Sequence, residues 1–278
     1  MYKILAKREL APHINLFEFS ASEVAAKTKP GQFVILRIDE DGERIPLTIV
    51  DANPGKGTIA LACHEVGKTT TQLGRLKEED SVLDLLGPLG KPARIEKFGT
   101  VLCVGGGVMV APLHFQAKAF REAGNNVIGI VGATTSDHLI FLEEMENTCN
   151  HLIVATDDGS KGHKGMDFLK DLIRETKIDR VVAEGPVVMM KAVSDLTRQH
   201  GIPTMVNLIP IMVDGMGMCG ACRVTVDGKT SFACVDGLEF DGHKVDFDEL
   251  LARLKVYTPQ EKLAYVFSEQ GEGTDERT

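Results

Sequence analysis

The chain has 278 residues, of which 43% are hydrophobic and 26% charged, a composition typical of soluble globular proteins with two or three domains. A formal net charge of −9, no Trp and only 3 Tyr argue against the basic, aromatic surface with which proteins bind nucleic acids. No apolar run approaches the roughly 18 residues of a membrane-spanning helix, and the first residues lack the apolar core of a signal peptide. We therefore expect a cytoplasmic protein that binds neither nucleic acid nor membrane.

Residues 1–97 carry the pattern of a β domain. Short apolar segments such as 32–38 alternate with turn signals, including Pro30-Gly31 and Pro54-Gly55. Regularly spaced short strands of this kind predict a barrel or a sandwich. A loop rich in Gly and Pro at 86–92 ends the domain.

Residues 98–210 change to an alternation of strands and helices. A strand-like segment at 101–104 precedes a helical stretch at 111–123, a second strand follows at 127–131, and the alternation continues to residue 200. This order predicts a parallel α/β sheet.

Residues 211–278 are first rich in Gly and Cys and then helical. Phe247, Leu250, Leu251 and Leu254 have the i, i+3, i+4, i+7 spacing of one helix face. After Ser268 the sequence is polar, and we expect that tail to be disordered.

Two loops of the α/β domain have the composition of a nucleotide site. Gly105, Gly106 and Gly107 lie between a strand and a helix, where the backbone can approach a pyrophosphate at the helix N-terminus. Glu184-Gly185-Pro186 follows a later strand in the same way. The alternatives are a tight turn for the glycines and a solvated loop carboxylate for Glu184. The segment 132–137 contains no Lys or Arg that could pair with a 2′-phosphate, which favours NAD(H) over NADP(H).

The cysteines near the C-terminus indicate a metal centre. Cys219, Cys222 and Cys234 have the spacing C-x2-C-x11-C, and Asp214 stands where a plant-type C-x4-C-x2-C pattern has its first Cys. We therefore predict a [2Fe–2S] cluster with four ligands, Asp214, Cys219, Cys222 and Cys234.

Three other interpretations of this segment stay open. The first is a structural zinc ion with His243 as the fourth ligand, and the second is a set of three buried thiols. The third makes Asp214 a turn residue before Gly215, a common role for Asp.

Three segments together resemble the ferredoxin–NADP reductase-like flavoproteins. They are Arg44-Ile45-Pro46-Leu47-Thr48, Val66-Gly67-Lys68-Thr69-Thr70-Thr71, and the glycine loop 105–107 with Ala111-Pro112. The resemblance implies that the first segment binds FAD, with Arg44 at the pyrophosphate and Pro46, Leu47 and Thr48 along the isoalloxazine. It also implies that the second segment, from Val66 to Thr70, holds phosphate oxygens through backbone N–H groups and hydroxyls.

The C-terminal region narrows the resemblance to electron-transfer subunits of two related kinds. Residues 212–224 and 156–165, including Asp157 and Asp158, resemble the small subunit of NADH-dependent ferredoxin:NADP oxidoreductases, also described as sulfide dehydrogenases. The electron-transfer subunit of dihydroorotate dehydrogenases is the second match, because it has Cys where Asp214 stands.

This resemblance implies an architecture of the α/β plus β class. An N-terminal antiparallel flavin-binding β-barrel spans 1–97, a central parallel α/β nucleotide-binding domain spans 98–210, and a C-terminal iron–sulfur segment with a terminal helix spans 211–278. The expected nicotinamide contacts are Gly105, Gly106, Gly107, Ala111, Pro112, Thr134, Asp157, Asp158, Glu184, Gly185 and Pro186.

The resemblance also implies a function without a catalytic side chain. Hydride passes between NAD(H) and FAD, and single electrons pass between FAD and the [2Fe–2S] cluster. The cluster then exchanges electrons with a larger flavin and [4Fe–4S] subunit in a heterodimer, which handles NADP(H) and ferredoxin. The alternatives are a stand-alone NADH-dependent reductase and a nucleotide-binding regulatory protein with a zinc clip.

Overall fold

The computed structural model of the chain describes residues 1–271. Two seven-stranded sheets lie one after the other along the sequence, followed by a small cysteine-rich region. The rest of the predicted polar tail, 272–278, lies outside the described residues. Within residues 1–271, no helix is both long and apolar enough to cross a membrane.

The first sheet is an antiparallel, nearly closed barrel. Its strand order is β6-β1-β2-β5-β4-β3-β7, and the two edge strands follow each other directly in the chain. Alternate side chains such as Phe17, Phe19, Ile49 and Leu61 fill its interior, as the two-residue period of a strand requires. The elements are β1 (Tyr2–Ala11), β2 (Ile14–Ser20), α1 (Ser22–Ala25), β3 (Phe33–Arg37), β4 (Ile45–Asn53), β5 (Thr58–His64), α2 (Lys68–Arg75), β6 (Ser81–Val82) and β7 (Asp84–Leu89).

The second sheet is the expected α/β layer. Its order is β11-β10-β9-β8-β12-β13-β16, parallel from β11 to β13. The strand order reverses at β8, so the loops after β8 and β12 diverge and leave a crevice for a ligand. The elements are β8 (Thr100–Gly106), α3 (Val110–Glu122), β9 (Asn126–Ala133), α4 (Leu142–Thr148), β10 (His151–Thr156), β11 (His163–Lys164), α5 (Phe168–Glu175), β12 (Arg180–Glu184), α6 (Val187–Gln199) and β13 (Thr204–Asn207).

The C-terminal region is attached to this sheet rather than separate from it. Its strand β16 pairs antiparallel with β13. The predicted amphipathic helix is α8, in which Phe247 and Leu250 are buried and Asp246 caps the N-terminus by accepting the Glu249 N–H. The elements are β14 (Arg223–Val226), β15 (Lys229–Phe232), α7 (Ala233–Asp236), β16 (Glu239–Asp241), α8 (Phe247–Leu254) and α9 (Thr258–Gly271). The predicted fold class is thus confirmed, with β16 as an antiparallel addition to the parallel sheet.

Candidate functional site

Three cavities follow one another along the junction of the barrel and the α/β domain. The first, which we call the α/β cavity, has about 600 Å³ and shares His64, Val108 and Met109 with the second, central cavity of about 250 Å³. The central cavity shares Val66 and Thr70 with the third, outer cavity of about 770 Å³. An elongated ligand can therefore run without interruption from one domain to the other.

The α/β cavity lies at the carboxyl ends of the parallel strands, where open α/β sheets bind ligands. Two of its glycines are there because of close packing: a Cβ on Gly106 would stand 2.8 Å from the Met189 Sδ, and one on Gly185 would stand 2.7 Å from the Met189 Cε. Gly107 has a positive φ of 59° and an open side toward the cavity. The predicted residues that line it are Gly106, Gly107, Thr134, Asp157, Gly185 and Pro186.

Pro112 lines the central cavity instead, and four other residues predicted as contacts of the nicotinamide nucleotide line neither of these two cavities. Gly105 packs against α3, since a Cβ there would meet the Leu113 Cδ2 at 2.9 Å, and Ala111 is fully buried in the core. The Asp158 carboxylate accepts hydrogen bonds from the Ser160 hydroxyl and N–H, which lower its pKa. Glu184 is the fourth, and it is fully buried.

The Glu184 carboxyl lies at the centre of a closed polar cluster. Its Oε1 accepts from the Gln116 Nε2 at 2.6 Å and from the Asn207 Nδ2 at 2.8 Å. Desolvation, and then the charge of Glu239, raise the Glu184 pKa well above its ordinary value. Among the described residues, the Glu184 Oε2, the Gln116 Oε1 and the Asn207 Oδ1 have no donor. Burial favours the protonated form of this carboxyl. Because Glu184 is fully buried, the solvated loop carboxylate considered above is wrong for this residue.

The central cavity is apolar and narrow, as a flat ring system requires. One wall is formed by Pro46, Leu47 and Thr48 of β4, and the opposite wall includes Pro112 at the start of α3. The Thr48 hydroxyl is buried and has no hydrogen-bond partner within residues 1–271. An orphaned hydroxyl in a ring-sized slot fits a heteroaromatic ligand with a polar edge.

Two titratable residues of β5 close the central cavity in their neutral forms. Burial raises the pKa of the Cys63 thiol to about 12, with a smaller contribution from Glu65. Burial also lowers the pKa of His64, and the neighbouring His138 adds to the effect. Both shifts favour the neutral form of the side chain.

The loop from Val66 to Thr70 separates the central and outer cavities. The Thr70 hydroxyl accepts from the Val66 and Gly67 N–H groups at 2.9 Å each, and the Thr69 hydroxyl donates to the Glu43 Oε2 at 2.8 Å. These hydroxyls thus hold the loop itself. The donors left for an anion are the backbone N–H groups at the start of α2, which have no partner within a helix, and the Lys68 side chain.

Arg44 stands apart from the other residues of its motif. It is exposed directly before β4 and lines a groove of about 350 Å³ with Asp214, Met216 and Met218. The guanidinium therefore lies at the edge of the barrel, between the outer cavity and the cysteine-rich loop.

The predicted cluster ligands lie in two segments, with Asp214, Cys219 and Cys222 in one glycine-rich loop and Cys234 in α7. Cys222 and Cys234 are buried with their sulfurs 3.1 Å apart, and Cys219 is exposed. The Asp214 carboxylate accepts the Met216 N–H at 2.9 Å and the Cys219 N–H at 2.7 Å, and the first of these bonds does most to lower the Asp214 pKa. The loop has three glycines at positive φ, Gly215, Gly217 and Gly220.

This donor set fits an iron–sulfur cluster. Burial and the adjacent Cys222 thiol raise the pKa of Cys234 to about 12, and a bound metal centre stabilises the thiolate form of a cysteine. The His243 Nε2 makes a hydrogen bond of 3.0 Å with the Thr197 hydroxyl on α6. In the described part of the chain, no three His, Cys, Asp or Glu side chains converge on a single-ion site.

Sequence reasoning missed several residues that shape the site. His64 and Met109 form the wall common to the α/β and central cavities, and Met189 covers Gly106 and Gly185. Ile209 closes the central cavity from the end of β13. Apart from the position of Met189 just after Gly185-Pro186, no motif marks these residues.

The comparisons with known proteins agree on one group. Residues 210–246 match the family model described as the iron–sulfur cluster binding domain of dihydroorotate dehydrogenase B. A dihydroorotate dehydrogenase B (NAD(+)) electron transfer subunit homolog of Thermotoga maritima is 49% identical over 95% of this chain and 94% of its own length. The electron transfer subunit of dihydroorotate dehydrogenase B of Bacillus velezensis is 34% identical over 88% and 93%.

A solved structure is similar over nearly the whole length. It is a chain of the NADH-dependent reduced ferredoxin-NADP oxidoreductase, described in connection with flavin-based electron bifurcation. The two chains are 48% identical with a TM-score of 0.91, and the match covers 95% of this chain and 96% of the other.

Proposed function

Because the chain belongs to the family of dihydroorotate dehydrogenase B electron-transfer subunits and their homologues, we propose that it is the NADH-linked electron-transfer subunit of an oxidoreductase. It binds FAD, a [2Fe–2S] cluster and NAD(H). When bound, these groups convert the electron pair of a hydride into single electrons. The observation that carries the proposal is the series of cavities joined by shared lining residues, which runs from the α/β domain across the barrel in a chain that also carries the cysteine-rich loop.

In this proposal the α/β cavity binds the nicotinamide nucleotide. Gly106, Gly107 and Gly185 let the backbone approach the ligand closely, and Thr134 and Asp157 face the nucleotide from the ends of β9 and β10. The shared wall of His64, Val108 and Met109 is where the nicotinamide and the flavin ring meet. Since these side chains are apolar or neutral, their task is to orient two rings and exclude water.

The barrel holds the flavin. Pro46, Leu47 and Thr48 line the ring, and the Thr48 hydroxyl donates to or accepts from its polar edge. The start of α2, from Lys68 to Thr70, presents backbone N–H groups to the pyrophosphate, and the Lys68 and Arg44 side chains add positive charge. The Asp214, Cys219, Cys222 and Cys234 side chains are the four cluster ligands.

The finer part of the proposal concerns the partner. Relatives of this chain are electron-transfer subunits, and the NADH-dependent reduced ferredoxin-NADP oxidoreductase contains a chain of nearly the same fold. We infer a heterodimer with a larger subunit that carries flavin and [4Fe–4S] centres and handles NADP(H) and ferredoxin. Sequence identity does not separate the two groups, at 49% to the Thermotoga maritima homolog and 48% to the oxidoreductase chain. Asp214 stands where the dihydroorotate type has Cys, and it favours the ferredoxin–NADP partner over a dihydroorotate-oxidising one.

An anaerobic titration tests the proposal. The purified chain should contain FAD, iron and acid-labile sulfide, and NADH should bleach the flavin absorbance and then produce the EPR signal of a reduced [2Fe–2S] cluster. Anaerobic purification of the tagged chain from its native cells should recover the larger subunit. A colourless protein that contains stoichiometric zinc and no labile sulfide would contradict the proposal and favour the regulatory alternative.

A further inference from the structure

The outer cavity has a wall that the flavin motifs do not explain. One side is the loop from Val66 to Thr70 with Glu43 and Ile45, and the other side is helix α9 with the turn before it. Two of the chain's 3 Tyr, Tyr257 and Tyr265, line this second side. With about 770 Å³, the cavity lies within the range of small-molecule sites, roughly 300–1,000 Å³.

We propose that the outer cavity binds the adenosine half of FAD, and that Tyr257 and Tyr265 supply the aromatic faces for the adenine. This inference rests on the proposed function, because it assumes that the barrel binds FAD. It assigns a cofactor-binding role to α9, which lies in sequence more than 180 residues beyond the loop that it faces.

The position of the ring determines the position of the adenosine. The flavin ring lies in the central cavity, because this cavity joins the flavin motif on β4 to the α/β cavity. The pyrophosphate then lies at the start of α2, and the rest of the FAD molecule, its adenosine end, continues past Val66 and Thr70. These two residues are the wall that the central cavity shares with the outer cavity.

The groove beside Arg44 is the competing place for the adenosine. It shares no lining residue with the central cavity, and Asp84 and Asp214 place carboxylates along it. It is also next to the cysteine-rich loop. A ligand that starts in the central cavity therefore reaches the outer cavity directly, while the groove is separated from it.

The chemistry of the α9 wall suits a nucleoside. Tyr265 is 39% exposed and Tyr257 is 52% exposed, so both rings have free faces on which a base can stack. The Glu261 carboxylate on the same wall is an acceptor for ribose hydroxyls, the role that an acidic residue has in dinucleotide sites. An unstacked aromatic pair on a solvent-facing helix is otherwise unfavourable, because exposed apolar area costs free energy.

FMN gives a direct test, since it has the ring and one phosphate of FAD but no adenosine. The full-length chain is freed of flavin and reloaded with FAD or FMN, and both dissociation constants are measured by flavin fluorescence. Stacking of one base on an aromatic side chain corresponds to about a tenfold change in affinity. Tyr265→Ala and Tyr257→Ala should each weaken FAD binding by about tenfold and leave FMN binding unchanged, whereas Tyr265→Phe should keep the affinity of the parent.

Leu263 provides the matched control. It is on the same helix and is 57% exposed, but it does not line the outer cavity. Leu263→Ala should change neither affinity. An equal loss of FAD and FMN binding in Tyr265→Ala, or an unchanged FAD affinity in both tyrosine variants, would overturn the inference.

Hydrogen exchange of the unmodified chain gives a second readout that needs no variant. FAD should slow amide exchange in α9 between residues 258 and 266, and FMN should not. Equal protection of α9 by the two flavins would overturn the adenosine assignment and leave the flavin site intact. A parent chain that binds neither flavin would instead refute the proposed function itself.

Discussion

The Asp214 carboxylate accepts a hydrogen bond from the backbone N–H of Cys219 at 2.7 Å. The bond spans the five residues between the predicted first and second cluster ligands, and it holds the loop closed at positive-φ Gly215 and Gly217. Asp214 therefore has the geometry of a turn residue, as the sequence alternative expected, while it stands in the same loop as Cys219 and Cys222. Each Asp214 oxygen accepts one backbone N–H, from Met216 and from Cys219. Since each carboxylate oxygen has two lone pairs, one carboxylate can be both a loop-forming acceptor and a metal ligand.

Substitution at Asp214 separates the two roles. Asp214→Cys should still assemble a cluster, with an altered EPR signal and midpoint potential, because a thiolate replaces a harder oxygen ligand. Asp214→Ala should lose the cluster or make it labile. Asp214→Asn is the matched variant, since it keeps an oxygen acceptor for the Cys219 N–H but removes the negative charge. Iron content, EPR and redox titration measure the outcome.

The two variants that lack the carboxylate decide between the roles. If Asp214 acts only through the turn, Asp214→Asn should keep the potential, EPR signal and stability of the parent cluster. Reduction of the flavin by NADH should survive in all three variants, because its residues lie in the barrel and the α/β domain. A cluster in Asp214→Ala with unchanged EPR, potential and stability would exclude Asp214 as a ligand.

Thr48 provides a prediction in which stability and cofactor binding change in opposite directions. Its buried hydroxyl has no partner in the described part of the chain, and an unsatisfied buried polar group costs about 1–3 kcal/mol. Thr48→Val should therefore raise the free energy of unfolding of the flavin-free protein by about 1 kcal/mol. With FAD bound, the same change should weaken binding or shift the flavin midpoint potential, because the ring loses a hydrogen-bonding group.

Thr48→Ser is the control for that experiment, because it keeps the hydroxyl in the cavity. Its flavin potential should match the parent's more closely than that of Thr48→Val. Denaturant unfolding of the flavin-free proteins and dye-coupled redox titration of the loaded ones provide both measurements. Equal potentials in the parent and in Thr48→Val would remove this hydroxyl from the flavin site.

Nucleotide preference can be tested at one carboxylate. Asp157 lines the α/β cavity, and none of the described residues that line it is Lys or Arg. A 2′-phosphate there meets a like charge and no cation, at a cost of about 1 kcal/mol near the surface, or roughly fivefold in affinity. NADH should therefore reduce the flavin faster than NADPH, and Asp157→Asn should narrow the difference by raising the NADPH rate.

Asp158 is the matched control for this comparison. It is the next residue in the chain, but its carboxylate accepts hydrogen bonds from Ser160 and the residue does not line the cavity. Stopped-flow bleaching of the flavin by each nucleotide should show an unchanged preference in Asp158→Asn. A parent protein that reacts as fast with NADPH as with NADH would contradict the prediction of an NAD(H) site.

The local part of the site could be predicted from the sequence, and the part made by distant packing could not. Cys219, Cys222 and Asp214 share one loop, so their spacing along the chain nearly determines their spacing in space. The burial of Glu184 depends on Gln116 and Asn207, which come from other elements. A strand-end carboxylate has the same local sequence whether it faces a ligand or the core.

The position of α9 could not be predicted from the sequence either, because it depends on packing between distant parts of the chain. Its own sequence indicates a helix of mixed polarity, while its contact with the loop after β5 depends on the path of all the intervening domains. In the fold, the alternation of strands and helices predicted the parallel sheet, but β16 joined it from the cysteine-rich region. A three-residue strand has too little pattern of its own to be predicted.

The protonated state of Glu184 can be tested through the pH dependence of stability. In the unfolded chain this carboxyl ionises near its ordinary pKa, about 4.3, whereas burial raises its pKa in the folded protein. Between these two values the folded state binds more protons than the unfolded state. The stability contributed by the protonated group is therefore complete below the ordinary pKa and is lost as pH rises toward the folded pKa, with a slope of at most about 1.4 kcal/mol per pH unit.

Glu184→Gln removes this dependence and keeps the shape of the side chain. Its amide donates to the Gln116 or Asn207 oxygens that otherwise lack a donor, so the variant should fold at least as stably as the parent at pH 8. The stability advantage of the variant should grow steadily from pH 5 to pH 8, as measured by urea unfolding at several pH values. Glu175→Gln changes an exposed position of α5, and its stability should change with pH in the same way as that of the parent. If the stability of Glu184→Gln also changed with pH in parallel with the parent, Glu184 would be ionised in the folded protein. A protonated carboxyl releases its proton when the chain unfolds above pH 5, whereas an ionised one does not.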